Sequence, residues 1–169
     1  LDHSDLSINV YRHNFGDVPK TVRIEQLRVE DLIEWKADVW MMSPPCQPHT
    51  RQHSNQQSDL QDSRSNSFLH ICDLLTKMPS ACLPSLILLE NVVGFESSHS
   101  FRLWKTSLHN ASYALSHFHL QPTQVGLPNN RPRYYCVAVQ RSSLSNHRNS
   151  EWRIGRYFST DSAQMAGTD

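Results

Sequence analysis

Two side chains in this sequence are suited to covalent chemistry. One is the thiol of Cys46, carried in the run Ser43-Pro44-Pro45-Cys46-Gln47-Pro48, and the other is the carboxylate of Glu90, at the end of the apolar run Ser85 to Leu89. A thiolate adds to an electron-poor carbon when an acid relieves the charge elsewhere on the same ring. Cytosine is such a ring. Its carbon 5 becomes nucleophilic once a thiolate has added at carbon 6 and an acid has protonated or hydrogen-bonded nitrogen 3, and a methyl sulfonium can then be attacked. Taken singly, a cysteine among prolines is ordinarily a small buried apolar group, and a strand-end glutamate an ordinary surface carboxylate. The case for chemistry rests on the two sharing one crevice.

The surrounding pattern predicts that they do. Ala37 to Met42 is a short apolar run cut off by Pro44-Pro45, which reads as a buried strand ending at a rigid loop. His49 to Arg64 is almost devoid of apolar residues and reads as a long loop. Ser65 to Lys77 restores helical spacing through Phe68, Ile71, Cys72 and Leu75, and Ser85 to Glu90 is the strongest strand of the chain. Strand, loop, helix and strand in series predict a right-handed crossover joining two parallel strands, with ligands gathered beyond their carboxyl ends. Further helices are expected over residues 4–14, after a Ser4 cap, over Val29 to Trp35 and over about Ser100 to Ala111. Further strands are expected over Tyr113 to Gln121 and Tyr134 to Val139. Two arginines at i and i+2 entering a strand share a side, so Arg131 and Arg133 are expected to face the crevice together.

Composition narrows little beyond this. The 169 residues suffice for one domain with its own core. Sixteen basic residues balance 16 acidic ones, so any nucleic-acid contact must come from a local patch. The four cysteines (Cys46, Cys72, Cys82, Cys136) form no CxxC pair, and no long apolar run suggests a membrane span. Reduced thiols in an intracellular protein, of cytoplasm or nucleus, are expected. His49 and His53 stand four apart but lack the glutamate and helical setting of a zinc motif, so no metal site is assigned. Cys72, Cys82, Cys136 and Trp40 read as packing residues. Residues 1–141 form the ordered domain in this reading, and 142–169, rich in Ser, Asn, Arg and Gly, a loosely ordered tail.

Ser43-Pro44-Pro45-Cys46-Gln47-Pro48, then Glu90-Asn91-Val92, then Arg131-Pro132-Arg133, in this order and spacing, resemble the motifs of cytosine-C5 methyltransferases. The resemblance extends from Asp2 to Gln140. It implies an α/β, Rossmann-like S-adenosylmethionine-dependent methyltransferase fold with a mostly parallel sheet. It further implies that Cys46 is the nucleophile, that Glu90 acts at nitrogen 3, and that Arg131 and Arg133 contact cytosine and the active site. Pro45, Gln47, Asn91 and Arg51 would support the substrate and its loop. Asp2, Ile24, Ser43 and Pro44 would border the cofactor, Asp2 through the ribose hydroxyls and Ile24, with Glu25, near the adenine.

Pro48, Thr50-Arg51, Asp62 to His70, Glu90 to Glu96 and Gly126 to Arg131 look more like the tRNA-directed branch than like the DNA enzymes. That branch methylates cytosine 38 of aspartate tRNA and was historically filed as a second class of eukaryotic DNA methyltransferases. The resemblance therefore implies a nucleic-acid substrate, tRNA favoured over DNA. A DNA cytosine-5 methyltransferase and an inactive truncated module that only binds nucleic acid or a partner are the rival readings. His49 departs from the family's usual Phe. The family's glycine-rich turn would precede Leu1 and its target-recognition segment would follow Gln140, so an incomplete domain with a truncated cofactor pocket and weak cofactor binding is expected.

Overall fold

The computed structural model describes residues 4–44, 66–142 and 165–168. Helix α1 (Asp5–Phe15) starts at Ser4, whose side chain accepts the Ser7 amide, and stops at Gly16, where a φ of 77° suits a residue without Cβ. Helix α2 (Val29–Trp35) follows, tied at its start by a reciprocal Arg28–Asp31 bond. Strand β1 (Val39–Met42), helix α3 (Asn66–Lys77) and strand β2 (Leu86–Val92) come next in the chain. Helix α4 (His99–Asn110), with Ser98 accepting the Phe101 amide at its cap, leads to β3 (Tyr113–Leu120) and β4 (Arg133–Gln140). A last strand, β5 (Met165–Thr168), pairs with β3.

The five strands lie in the order β1-β2-β4-β3-β5. β1 and β2 are parallel neighbours, Met42 opposite Leu89, as the crossover through α3 predicts. Among the described residues the sheet is mixed: beside the parallel β1–β2 pair, the β2–β4, β3–β4 and β3–β5 pairs are antiparallel. The cause lies in the connection between β3 and β4. A parallel return needs a crossover element, whereas residues 121–132 contain only a 3₁₀ turn (Pro122–Val125) closed by Gly126 at φ 80°, so the chain doubles back beside itself. β5 falls where the sequence pattern predicts no element. The outer edge of β3 offers unpaired backbone groups, and a strand needs no side-chain alternation to take them.

One face of the sheet builds the core. Alternation turns Ile87, Leu89 and Asn91 of β2 and Tyr134, Cys136 and Ala138 of β4 to the same side. There they meet Phe68, Ile71, Cys72 and Leu75 of α3 and Phe101, Trp104 and Leu108 of α4. Trp40 and Met42 of β1 pack against this cluster, which confirms Trp40 as a packing residue. The opposite face carries Leu86, Leu88, Glu90 and Val92, all only half-buried. The α1 stripe is less buried than its spacing suggests: Ile8 is covered, while Leu6, Val10 and Tyr11 are exposed.

Candidate active site

Glu90 is near the carboxyl end of β2, one residue past the point where β1 ends beside it. On the β2–β4 ladder Glu90 faces Tyr135 and Val92 faces Arg133, which makes Arg133 the diagonal neighbour of Glu90 on one face. Arg133 Nε donates to Glu90 Oε1 at 3.0 Å, with both side chains partly buried. Its Nη1 donates to the Pro132 carbonyl at 2.8 Å, so the guanidinium is held from two sides. A pair with this much exposure contributes at most about 1 kcal/mol to stability, and its main effect is to orient the carboxylate. Arg131 lies before β4 begins and is exposed, so the shared strand face expected for the two arginines is not formed. The described contacts bring Arg133, rather than Arg131, to Glu90.

Asn91 points to the other side of the strand and is buried. Its Nδ2 donates to the Pro44 carbonyl at 3.3 Å, and its Oδ1 accepts the Val92 amide at 2.8 Å. Pro44 is itself buried, and Ser43 before it is exposed. The amide thus pins the segment that leaves β1 beside the residue that follows Glu90. Asn91→Asp replaces the donor with a buried carboxylate facing a carbonyl. It is expected to lower the unfolding free energy by about 1–3 kcal/mol, read by urea denaturation; an unchanged midpoint would show that the amide bond carries no weight.

Asp2, Pro45, Cys46, Gln47 and Arg51 lie outside the described residues. Ile24 begins a 3₁₀ turn (Ile24–Gln26) and packs, partly buried, against the core cluster alongside Trp40 and Met42. Next to it the Glu25 carboxylate accepts a hydrogen bond from the Ser67 hydroxyl. The turn thus sets an apolar side chain beside a carboxylate, a pairing chemically suited to a purine ring with an exocyclic amine.

Two polar ties at the site have no counterpart in the sequence reading. Glu96 accepts the Gly94 amide at 2.9 Å through Oε2 and meets His119 Nε2 at 2.8 Å through Oε1, which closes the turn after β2 onto β3. Gly94 takes a φ of 102°, and nearby His117 has its imidazole pulled below the ordinary range, chiefly by burial. The second tie joins α3 to the 24–27 segment through Ser67 and His70. Both link residues distant in sequence, so spacing along the chain does not show the pairings.

Among the described cysteines, Cys72 and Cys136 are buried and Cys82 is half-buried. Burial pushes the Cys72 thiol up to about 12 and the Cys136 thiol up to about 11, so neither supplies a thiolate at neutral pH. Among the described residues no group of His, Cys, Asp or Glu could hold a metal ion. No helix among them is long and apolar enough to cross a membrane.

Fold and site together place a carboxylate, its arginine and the proline that follows β1 at neighbouring strand ends of an α/β domain. Residues 3–164 match the family of C-5 cytosine-specific DNA methylases, and the chain belongs to that family. It is 42% identical over 147 residues to a DNA (cytosine-5)-methyltransferase of Dictyostelium discoideum, covering 83% of this chain and 38% of that protein. It is 40% identical over 143 residues to the human tRNA (cytosine(38)-C(5))-methyltransferase, covering 84% of this chain and 36% of that protein. The crystal structure of the S. pombe Dnmt2 methyltransferase superposes with a TM-score of 0.70 at 34% identity, over 82% of this chain and 40% of that one. The chain therefore spans a little over a third of the length of these curated relatives.

Proposed function

We propose that the protein carrying this domain transfers a methyl group to carbon 5 of cytosine in nucleic acid, and that its substrate is aspartate tRNA rather than DNA. The observation that carries the reading is the convergence at the end of β2. Arg133 orients Glu90, and Asn91 holds Pro44, only two residues before Cys46. In this account the target base leaves its stack, and the Cys46 thiolate forms a bond to carbon 6. Glu90 protonates or hydrogen-bonds nitrogen 3, so that the displaced electron pair becomes available at carbon 5. S-adenosylmethionine supplies the methyl group as a sulfonium. Loss of the carbon 5 proton to a base, return of the nitrogen 3 proton to Glu90 and departure of the Cys46 thiolate then restore the ring.

The tRNA preference is supported by the human relative's name and by the run Asp62 to His70. The Dictyostelium relative's name supports DNA as the alternative. The two are separated by offering the complete protein labelled S-adenosylmethionine with an aspartate tRNA transcript or with duplex DNA of mixed sequence. Label is expected in the tRNA at least about tenfold above the DNA, a preference that corresponds to about 1.4 kcal/mol. Label in DNA alone would assign the DNA reaction, and label in neither would overturn the reading.

A further inference from the structure

Helix α3 has two working faces. Phe68, Ile71, Cys72 and Leu75 enter the core, while Ser67 and His70, three apart and therefore on one side, reach the segment 24–27. The Ser67 hydroxyl donates to the Glu25 carboxylate. His70 Nε2 lies 2.8 Å from the Leu27 carbonyl in a part-buried position. A carbonyl can only accept, so the imidazole must carry its proton on Nε2. Leu27 is itself buried and its amide bonds back to the Ile24 carbonyl at 3.1 Å, which makes 24–27 a closed turn with one anchor at each end.

We propose that Ser67 and His70 are positioning residues for the cofactor: they hold the Ile24–Glu25 turn in the shape that receives the adenine ring. The inference rests on the reading of Ile24 and Glu25 as cofactor-bordering residues. Neither Ser67 nor His70 need touch the ligand. Ser67 sets the direction of the Glu25 carboxylate, and His70 keeps the turn from moving away from the core. A turn already in its bound shape loses less freedom on binding, which raises affinity without a new contact.

The test is an NMR titration of the 169-residue chain with millimolar S-adenosylhomocysteine, following the amides of residues 24–27. The parent is expected to show saturable shifts there. His70→Ala and Ser67→Ala should each weaken binding about three- to tenfold, the share of one hydrogen bond. His70→Gln, which can return an N–H donor near the Nε2 position, should recover most of the loss, a result that general destabilisation would not produce. Faster hydrogen exchange of the Leu27 amide in His70→Ala, without ligand, should accompany the loss. Should His70→Ala fail to fold, Ser67→Ala carries the same test from the other anchor. Equal affinity in the parent and both alanine variants would overturn the positioning role alone. No shifts at 24–27 in the parent would overturn it together with the cofactor reading on which it rests.

Discussion

Truncating Trp104 to alanine is expected to destabilise the domain by about 3–5 kcal/mol, the range for removing a buried aromatic side chain. Trp104 has no exposed surface and lies in the cluster where α3 and α4 meet the sheet, its ring centroid 5.4 Å from that of Phe68. Phe95, Phe101 and Tyr134 continue the aromatic contacts toward β4. Because a domain's total stability is commonly about 5–15 kcal/mol, the variant should be partly unfolded near physiological temperature. Thermal unfolding followed by circular dichroism would show a midpoint lower by on the order of 10 °C. A shift of a degree or two would mean that the packing of α4 on the sheet contributes far less than its burial implies. The neighbouring Leu103, 36 % exposed on the outer side of the same helix, should lose far less than Trp104 on truncation to alanine.

The second large effect is chemical. Cys46→Ala in the complete protein should reduce methyl transfer by on the order of 10⁴-fold or more, because the variant has no nucleophile with which to activate carbon 5. Two of the described cysteines cannot take over: Cys72 and Cys136 are buried thiols, with burial holding them protonated. Nucleic-acid binding should survive the substitution, since it removes one small side chain. A parallel loss of binding and of rate would instead assign Cys46 a structural role.

Much of this arrangement was legible from residue spacing, and the gaps have a common cause. The strand Leu86–Val92 announces itself as a run of Leu and Ile after a proline, and α2 runs over the Val29 to Trp35 span that its pattern predicts. Spacing also places the ends of β1 and β2 together, because a helix between two apolar runs implies a parallel pair. Strand direction beyond that pair was not legible. Tyr113–Leu120 and Arg133–Gln140 alternate equally well in either orientation, and only their pairing shows the doubling back. The site followed the same division. The types Glu90, Arg133 and Asn91 could be singled out, but their partners depend on register: Arg133 reaches Glu90 as a diagonal neighbour, and Asn91 reaches Pro44 across 47 positions. Ser67, His70 and Glu96 stood in the runs singled out, but their partners, and His119 altogether, were missed for that reason, since only the fold brings each pair together.

The central claim is that Cys46 attacks cytosine beside Glu90, and its most direct test is covalent trapping. Aspartate tRNA carrying 5-fluorocytosine at the target position lacks the carbon 5 proton whose loss releases the enzyme, so the adduct should persist. With the complete protein and S-adenosylmethionine, peptide mass analysis should find the modified nucleotide attached to Cys46 and to no other cysteine, with no adduct in Cys46→Ala. An adduct on Cys72, Cys82 or Cys136, or methyl transfer that continues undiminished in Cys46→Ala, would contradict the account.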